Sequence, residues 1–257
     1  MDPAQPTWGR VHTGELTRIV VVSPHFDDAA LGASQMLLRH AGSSATTVIT
    51  VLGGRPPAYP DPPSDWDALG GFRAGDDVVA LRQEEDRAAM EVLGAEPMWL
   101  DFADHQYLPK RERPTAAAVA PVLEAAILGR SPTAVFLPMG LANPDHVMTH
   151  DAGMLVYDRH PEWAWFCYED HGYKHLPGLL AWRVATLMKS GRWPTPAIVP
   201  VDAETEGKRK AIWCYVSQIA PLERDHALTE RLAANVPEQF WRVAAPPRGW
   251  EGLADSV

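Results

Sequence analysis

Two short stretches place imidazole and carboxylate side chains directly after apolar segments. In SPHFDDAALG, His25, Asp27 and Asp28 follow the β-branched run RIVVVS, and in LPMGLANPDHV, His146 follows the apolar run TAVFLP. Charged groups at the end of a buried strand are unfavourable unless they are paired, hydrated or bound to a metal. Two imidazoles and one carboxylate form a usual ligand set for a catalytic metal that keeps one position open for water. We therefore expect His25, Asp28 and His146 to bind a metal ion.

Asp27 lies beside the predicted ligand Asp28, where it could take a proton from a metal-activated water as a general base. A structural interpretation competes with this one. Either aspartate could cap the helix that follows, and His25 could be a loop histidine with satisfied hydrogen bonds. The HxDD pattern alone favours the structural interpretation. The second stretch, with its own Asp145-His146 pair after a strand, favours the metal site.

Apolar strand-like segments alternate with helical patterns over about the first 170 residues. Strands are predicted to begin at Arg18, Thr46, Pro97, Thr133 and Trp163. This alternation is typical of an α/β fold with a mostly parallel sheet and crossover helices. Ligands of such sheets bind at the carboxyl ends of the strands, which is where the two stretches lie.

The length of 257 residues predicts a single domain over residues 1–257. Its core is expected at about residues 16–177. Residues 178–257 read as helical or irregular, because TEGKRKAIWCYVSQI and ALTERLAANVPEQFWRVA both look helical.

The composition limits the function and the compartment. The formal net charge of −10 disfavours binding to nucleic acid or to anionic membranes, and no apolar run approaches the roughly 20 residues of a membrane span. Cys167 and Cys214 imply no disulfide framework and fit a reducing compartment. The first residues lack the pattern of a secretory signal. We therefore expect a cytoplasmic enzyme, with an oligomeric state that the sequence leaves open.

Further side chains could contact a substrate. The long segment over residues 53–75 carries Trp66 and Phe72, which could bind a sugar or acyl group or simply anchor the loop. Arg82 and Glu85 share a helix face, where they could form an ion pair or position a substrate. The remaining candidates lie near predicted strand ends or on the helix that carries His146: Asp104, His105, Tyr168 and His150.

The two stretches resemble the signature motifs of the PIG-L/LmbE-like zinc-dependent N-deacetylases, usually written PHPDDE and HPDH. Weaker similarity lies in RQEEDRAAMEVLGAEPMWLDFADHQY, CYEDHGY, CYVSQI and EQFWR. The resemblance implies a Rossmann-like fold of three layers. It also implies zinc bound by His25, Asp28 and His146, and Asp27 as general base. The family removes an acyl group, usually acetyl, from an amino sugar such as N-acetylglucosamine or from a related amine.

This chain departs from the family motifs at two positions. Ala29 stands where PHPDDE has glutamate, and Asn143 stands where HPDH has its first histidine. That histidine is the family's expected oxyanion stabiliser and proton donor to the leaving amine. Asn143 can donate a hydrogen bond to an oxyanion, but it cannot supply a proton at neutral pH. A protonated Asp27, His105 or His150 could replace the missing acid.

Three functions remain open at this point. The first is a zinc-dependent hydrolase that removes an N-acyl group from an amino sugar or related conjugate, with Asp27 and Asn143 as catalytic residues. The second is a catalytically impaired homologue that binds a metal or a sugar. The third is an amidase for a non-acetyl amide in a natural product or thiol conjugate. Zinc is favoured by the resemblance, although two histidines and one aspartate also suit other divalent metals.

Overall fold

A computed structural model describes residues 9–246 and Gly249 of the chain. Within these residues, seven strands form one sheet in the order β3-β2-β1-β4-β5-β7-β6. The strands are β1 (Arg18–Ser23), β2 (Ala45–Thr50), β3 (Glu96–Trp99), β4 (Ala134–Pro138), β5 (Ala164–Tyr168), β6 (Trp193–Ala197) and β7 (Phe240–Ala244). The first five strands are parallel, whereas β7 is antiparallel to both of its neighbours. The mostly parallel α/β fold predicted from the sequence is confirmed.

Helices cover both faces of the sheet. They are α1 (Asp28–His40), α2 (Asp65–Leu69), α3 (Val78–Leu93), α4 (Ala116–Leu128), α5 (Pro144–Tyr157), α6 (Leu179–Lys189), α7 (Glu206–Ile212), α8 (Val216–His226) and α9 (Leu228–Ala233). One hydrophobic core lies between the sheet and α1, α3, α7 and α8, and a second lies between the sheet and α4, α5 and α6. The central strands are therefore apolar on both sides, as β-branched runs in parallel sheets usually are.

The C-terminal part corrects one expectation. The segment EQFWRVA, predicted as helix, forms strand β7, and β6 has no counterpart in the prediction. β6 contains Pro194 and Pro196, which cannot donate to a ladder. They are tolerated because β6 is the edge strand and pairs only with β7. The pairing that makes β7 a strand is with β5, far away in sequence, so no local pattern reports it.

The crevice that holds the candidate site follows from the strand order. β1 lies between β2 and β4 in the sheet. The connection after β1 runs toward β2, and the connection after β4 runs in the opposite direction, toward β5. At such a switch point the two following turns diverge and leave an open crevice at the carboxyl ends of the strands. The SPHFDDAALG turn follows β1, and the LPMGLANPDHV turn follows β4. Among the described residues, no helix is long and apolar enough to cross a bilayer.

Candidate active site

Three side chains from the two turns converge on one point. His25 Nδ1 lies 3.1 Å from Asp28 Oδ2, and His146 Nε2 lies 3.3 Å from the same oxygen. One ligand atom from each residue lies within 4.8 Å of the other two. This spacing suits three ligands of one metal ion with room left for a water or a substrate.

Each histidine of this triad is held from behind by a second carboxylate. His25 Nε2 lies 3.1 Å from Asp145 Oδ2, and His146 Nδ1 lies 2.5 Å from Asp170 Oδ1. Metal-ligating histidines commonly donate their other ring N–H to a carboxylate, which fixes the ring orientation and the tautomer. In both imidazoles, therefore, one ring nitrogen faces Asp28 and the other is held by Asp145 or Asp170.

A second set of possible ligands, formed by His25, Asp104 and Asp145, lies beside the first. Its donors already have other partners. Asp104 accepts two hydrogen bonds from Gln106, one from the backbone N–H and one from the side chain. Asp145 holds His25 and also lies within ion-pair distance of His105. We therefore take the triad of His25, Asp28 and His146 as the set that fits a metal.

The electrostatics of the triad favour a bound cation. Burial opposes protonation of His25, yet hydrogen bonds with Asp145 and Asp28 raise its pKa well above the usual range. Burial also opposes protonation of His146, and the charge of Asp28 and the hydrogen bond with Asp170 raise its pKa. Positive charge is thus stabilised at the point where the ring nitrogens meet Asp28. A divalent metal supplies that charge without protons on the ligating nitrogens.

Asp27 faces the cavity and does not cap α1. The Asp27 side chain accepts no hydrogen bond from the first turn of α1. Ser23 Oγ instead accepts the backbone N–H of Ala29, at 3.0 Å. Burial and the neighbouring Asp28 raise the pKa of the Asp27 carboxyl to about 7. The capping interpretation of Asp27 is therefore wrong, and its carboxylate is available beside the triad.

Asn143 combines a structural and a site contact. Its Oδ1 accepts a hydrogen bond from the backbone N–H of Asp145 at 2.8 Å, so it caps α5, with Pro144 in the first helical turn as the sequence predicts. Its Nδ2 donates to the Tyr173 hydroxyl at 3.2 Å. The side chain lines the cavity and presents an amide N–H there.

The triad lines a cavity of about 370 Å³. Four of the predicted substrate residues line it: Trp66, Arg82, Asp104 and His105. Three others do not line it. Phe72 is buried against the Arg82 guanidinium, His150 Nδ1 is bonded to the Pro138 carbonyl, and the Tyr168 hydroxyl donates to the Val22 carbonyl. These three positions correct the expectation that each lies at the pocket wall.

The Arg82 and Glu85 pair predicted from the RxxE spacing does not form. Arg82 is paired with Asp67, at 2.7 Å between Nη2 and Oδ1, and with the Tyr107 hydroxyl. Glu85 accepts hydrogen bonds from the backbone and side chain of Ser217. Asp67, from α2, thus fixes the guanidinium at the cavity wall, and Glu85 attaches α8 to α3.

Several cavity residues were missed by the sequence reasoning. Gln218, Leu222 and His226 lie four residues apart on one face of α8 and line the cavity together. That spacing is the signal that could have found them. Tyr173 packs its ring against both His146 and His226, at centroid distances of 5.4 and 5.2 Å. It lies in the CYEDHGY segment, whose resemblance to the family was weak.

Comparison with known proteins agrees with this geometry. The family profile described as PIG-L: GlcNAc-PI de-N-acetylase matches residues 20–157. This segment contains both turns and spans more than half of the chain. The chain therefore belongs to the PIG-L family, and it is a metal-dependent deacetylase of the LmbE-like fold.

Solved structures of deacetylases share the fold over most of the chain. The A40926 pseudoaglycone deacetylase Dbv21 is 26% identical and covers 89% of this chain and 98% of its own, with a TM-score of 0.70. The zinc-inhibited form of the teicoplanin deacetylase Orf2 is 24% identical and covers 91% and 100%, with a TM-score of 0.73. The N,N'-diacetylchitobiose deacetylase from Pyrococcus horikoshii is 16% identical and covers 89% and 84%, with a TM-score of 0.56.

Proposed function

We propose that this protein is a zinc-dependent hydrolase that removes an N-acyl group, in the first place acetyl, from an amino sugar carried on a larger conjugate. The observation that carries the proposal is the triad of His25, Asp28 and His146 in the wall of a cavity, with the carboxylate of Asp27 in the same wall. We also infer that residues 9–246 form one domain, because β7 from the C-terminal part hydrogen-bonds to β5 of the parallel sheet.

The triad would hold the metal, which when bound would polarise the amide carbonyl and lower the pKa of a water. Asp27 is placed beside the triad to accept the proton of the attacking water, since its carboxylate is not used for capping. The Nδ2 group of Asn143, in the turn after β4, donates one hydrogen bond to the Tyr173 hydroxyl, and its second N–H can stabilise the negative charge that develops on the carbonyl oxygen in the cavity.

His105 is the strongest candidate for the proton donor that Asn143 cannot be. Its Nδ1 lies within ion-pair distance of Asp145 Oδ1, at 2.5 Å, and neither ring nitrogen has a hydrogen-bond partner among the described residues. A carboxylate beside one ring nitrogen can hold an imidazole in one orientation. His226 also lines the cavity, but no carboxylate among the described residues forms an ion pair with it. His150 is excluded, because it lies outside the cavity and burial lowers its pKa to about 3.

The cavity walls suggest an acylated sugar bearing an apolar group. Polar groups around the triad suit sugar hydroxyls, and apolar side chains line the remainder: Phe26, Leu31, Leu52, Trp66, Val79 and Leu222. Ligand sites commonly combine an apolar surface with a few polar groups that fix the orientation. The neighbouring structures include enzymes for glycopeptide and chitobiose substrates. These ligand classes form the first substrates to test.

The test is a deacylation assay on the metal-free protein, with zinc added back stepwise because a zinc-inhibited form of one similar protein is known. The substrates would be A40926 pseudoaglycone, teicoplanin and N,N'-diacetylchitobiose, and the released acid would be identified by mass spectrometry. Release of acetate that requires the metal supports the proposal, and release of a longer acid favours the amidase alternative. Zinc binding without turnover of any substrate would instead favour the impaired homologue, which the Asn143 position makes a specific alternative.

The role of His105 is tested by comparing two variants, His105→Gln and His226→Gln. We expect His105→Gln to lower kcat about 10²-fold or more, because the leaving amine loses its proton source. Metal content should not change, since His105 is not a member of the triad. His226→Gln, a change of the same kind on the opposite wall, should lower kcat less. The reverse order would assign the proton to His226.

A further inference from the structure

A second, smaller cavity lies on the other side of α1 from the cavity that holds the triad. Its volume is about 70 Å³, and Leu31 lines both cavities. It is bounded by α1, the segment over residues 169–175, α7 and the connection between α9 and β7. A cavity of this size holds a few water molecules, so the space suits one small ion.

Cationic side chains predominate around this small cavity. Lys174, Lys208, Arg209 and Arg231 line it, and the only carboxylates in its described lining are Glu169 and Glu238. Both carboxylates are already used by the lysines. Lys208 is paired with Glu238 at 2.7 Å, and Lys174 lies 3.6 Å from Glu169.

The two arginines are left without an acidic partner. Arg231 donates from Nε to the His226 carbonyl, and neither guanidinium forms an ion pair with a carboxylate among the described residues. Guanidinium groups match tetrahedral oxyanions well because their N–H groups form a planar fork. Two such groups facing one small cavity provide the donors for a doubly charged anion.

The cationic neighbours of His171 make the electrostatic potential inside the small cavity positive. Burial and, after it, the charges of Lys208, Lys174 and Arg231 together lower the pKa of His171 to about 3. Its Nε2 is buried and has no hydrogen-bond partner among the described residues. A neutral imidazole can donate one N–H to an anion without adding a further charge.

We propose that this small cavity is a binding site for a phosphate dianion, either free phosphate or the phosphate group of a monoester. Arg209 and Arg231 would provide the charge, and Lys174, Lys208 and His171 would provide further N–H donors. This site does not depend on the deacylation proposed above.

An anion here would act on the same segment that supports the triad. Asp170 holds His146 through Nδ1, and its own carbonyl accepts the backbone N–H groups of Tyr173 and Lys174. Residues 170 and 174 therefore belong to one turn, with one facing the triad and the other facing the small cavity. Phosphate bound at Lys174 should stabilise this turn.

The experiment is calorimetric titration of the zinc-loaded full chain with inorganic phosphate and, separately, with glycerol 3-phosphate. We expect saturable binding of one anion per chain, weakened at least about tenfold in Arg209→Gln/Arg231→Gln. Arg224→Gln is the matched control, because Arg224 is exposed and paired with Asp225 away from the cavity. It should bind like the wild type. Tighter binding of glycerol 3-phosphate would identify a monoester as the ligand, and tighter binding of inorganic phosphate would identify the free ion.

Two results would overturn the site: no saturable binding of either anion, or equal binding by the double variant. Hydrogen–deuterium exchange of the wild type tests the same proposal without any substitution. Phosphate should protect residues 169–175 and 205–209. Protection confined to residues 25–28 and 143–146 would place the phosphate at the triad and would reject the small cavity.

Discussion

The turns after β1 and β4 face the same cavity, but they combine helix capping and site chemistry differently. After β1, Ser23 Oγ accepts the N–H of Ala29, so the Asp27 carboxylate is free. After β4, Asn143 caps α5 with its oxygen and presents its N–H groups to Tyr173 and the cavity. In the first turn, therefore, one side chain (Ser23) stabilises the helix and another (Asp27) is available for chemistry. In the second turn, Asn143 does both.

This difference has a physical consequence for substitutions. A residue that only faces the cavity can be changed with little effect on folding, whereas removing a helix cap lowers stability by about 1 kcal/mol. Activity and stability should therefore respond independently at Asp27 and together at Asn143. The following predictions test that contrast, beginning with the metal centre that both turns build.

His146→Ala should abolish metal binding and activity. The triad has three ligands, and His146 is the one that the second turn contributes. Zinc per chain, measured by mass spectrometry, should fall from near one to below about a tenth. His150→Ala is the control, since His150 is also buried on α5 but lies outside the cavity. It should retain zinc. Zinc retained in His146→Ala would place the metal on other residues.

Asp27→Asn should lower kcat by about 10²–10⁴-fold, the usual effect of losing a general base. Zinc content should stay near that of the wild type and the melting temperature should not fall, because Asp27 neither ligates in the triad nor caps α1 and its buried carboxyl has a raised pKa. Ser23→Ala is the opposite case and should lower stability by about 1 kcal/mol. A large drop in melting temperature for Asp27→Asn would contradict the separation seen in the first turn.

Asn143→Ala should lower both stability, by about 1 kcal/mol, and kcat, by about 10²-fold. Asn143→Asp keeps the oxygen that caps α5 but has no N–H to donate. We expect it to melt like the wild type and to be as slow as the alanine variant. If Asn143→Asp were fully active, the N–H would not stabilise the transition state.

Asp170→Asn should weaken zinc affinity by about 10–100-fold, because the amide no longer holds His146 as a carboxylate does. Competition with a chelator measures this loss. Asp104→Asn is the comparison, since Asp104 binds Gln106 and no triad histidine. Its effect on zinc affinity should be smaller.

Asp86 connects the two parts of the chain by accepting hydrogen bonds from Trp99 of β3 and Tyr215 before α8. Burial raises its folded-state pKa from 3.8 to about 6 despite these bonds. The folded state therefore binds the proton more tightly, and stability should fall as the pH rises from about 4 to 6 and then level off.

Asp86→Asn removes this titration. The difference between its unfolding free energy and that of the wild type should change by up to about 3 kcal/mol between pH 4 and 7, in favour of the variant at the higher pH. Urea unfolding at each pH measures it. A difference that does not depend on pH would show that Asp86 is ionised to the same extent in both states.

The sequence predicted the parallel half of the fold more accurately than the C-terminal part. Each of the five parallel strands is an apolar run with its own local signal, and each begins within one residue of its predicted start. β6 and β7 depend on pairing across more than 40 residues, so β7 was wrongly predicted as helix. The wall that α8 contributes to the cavity was missed, since it depends on how the C-terminal part folds back.

The proposed metal-ligating residues could be predicted from the sequence, because each lies shortly after an apolar strand. His25, Asp28 and His146 were predicted together, and the structure brings their ligand atoms within 4.8 Å. The carboxylate of Asp170 behind His146, the partner of Arg82 and the rejection of His150, Phe72 and Tyr168 were decided only by the tertiary structure. The physical reason is that side-chain partners are set by which elements pack together, and a local pattern contains only its own strand or helix.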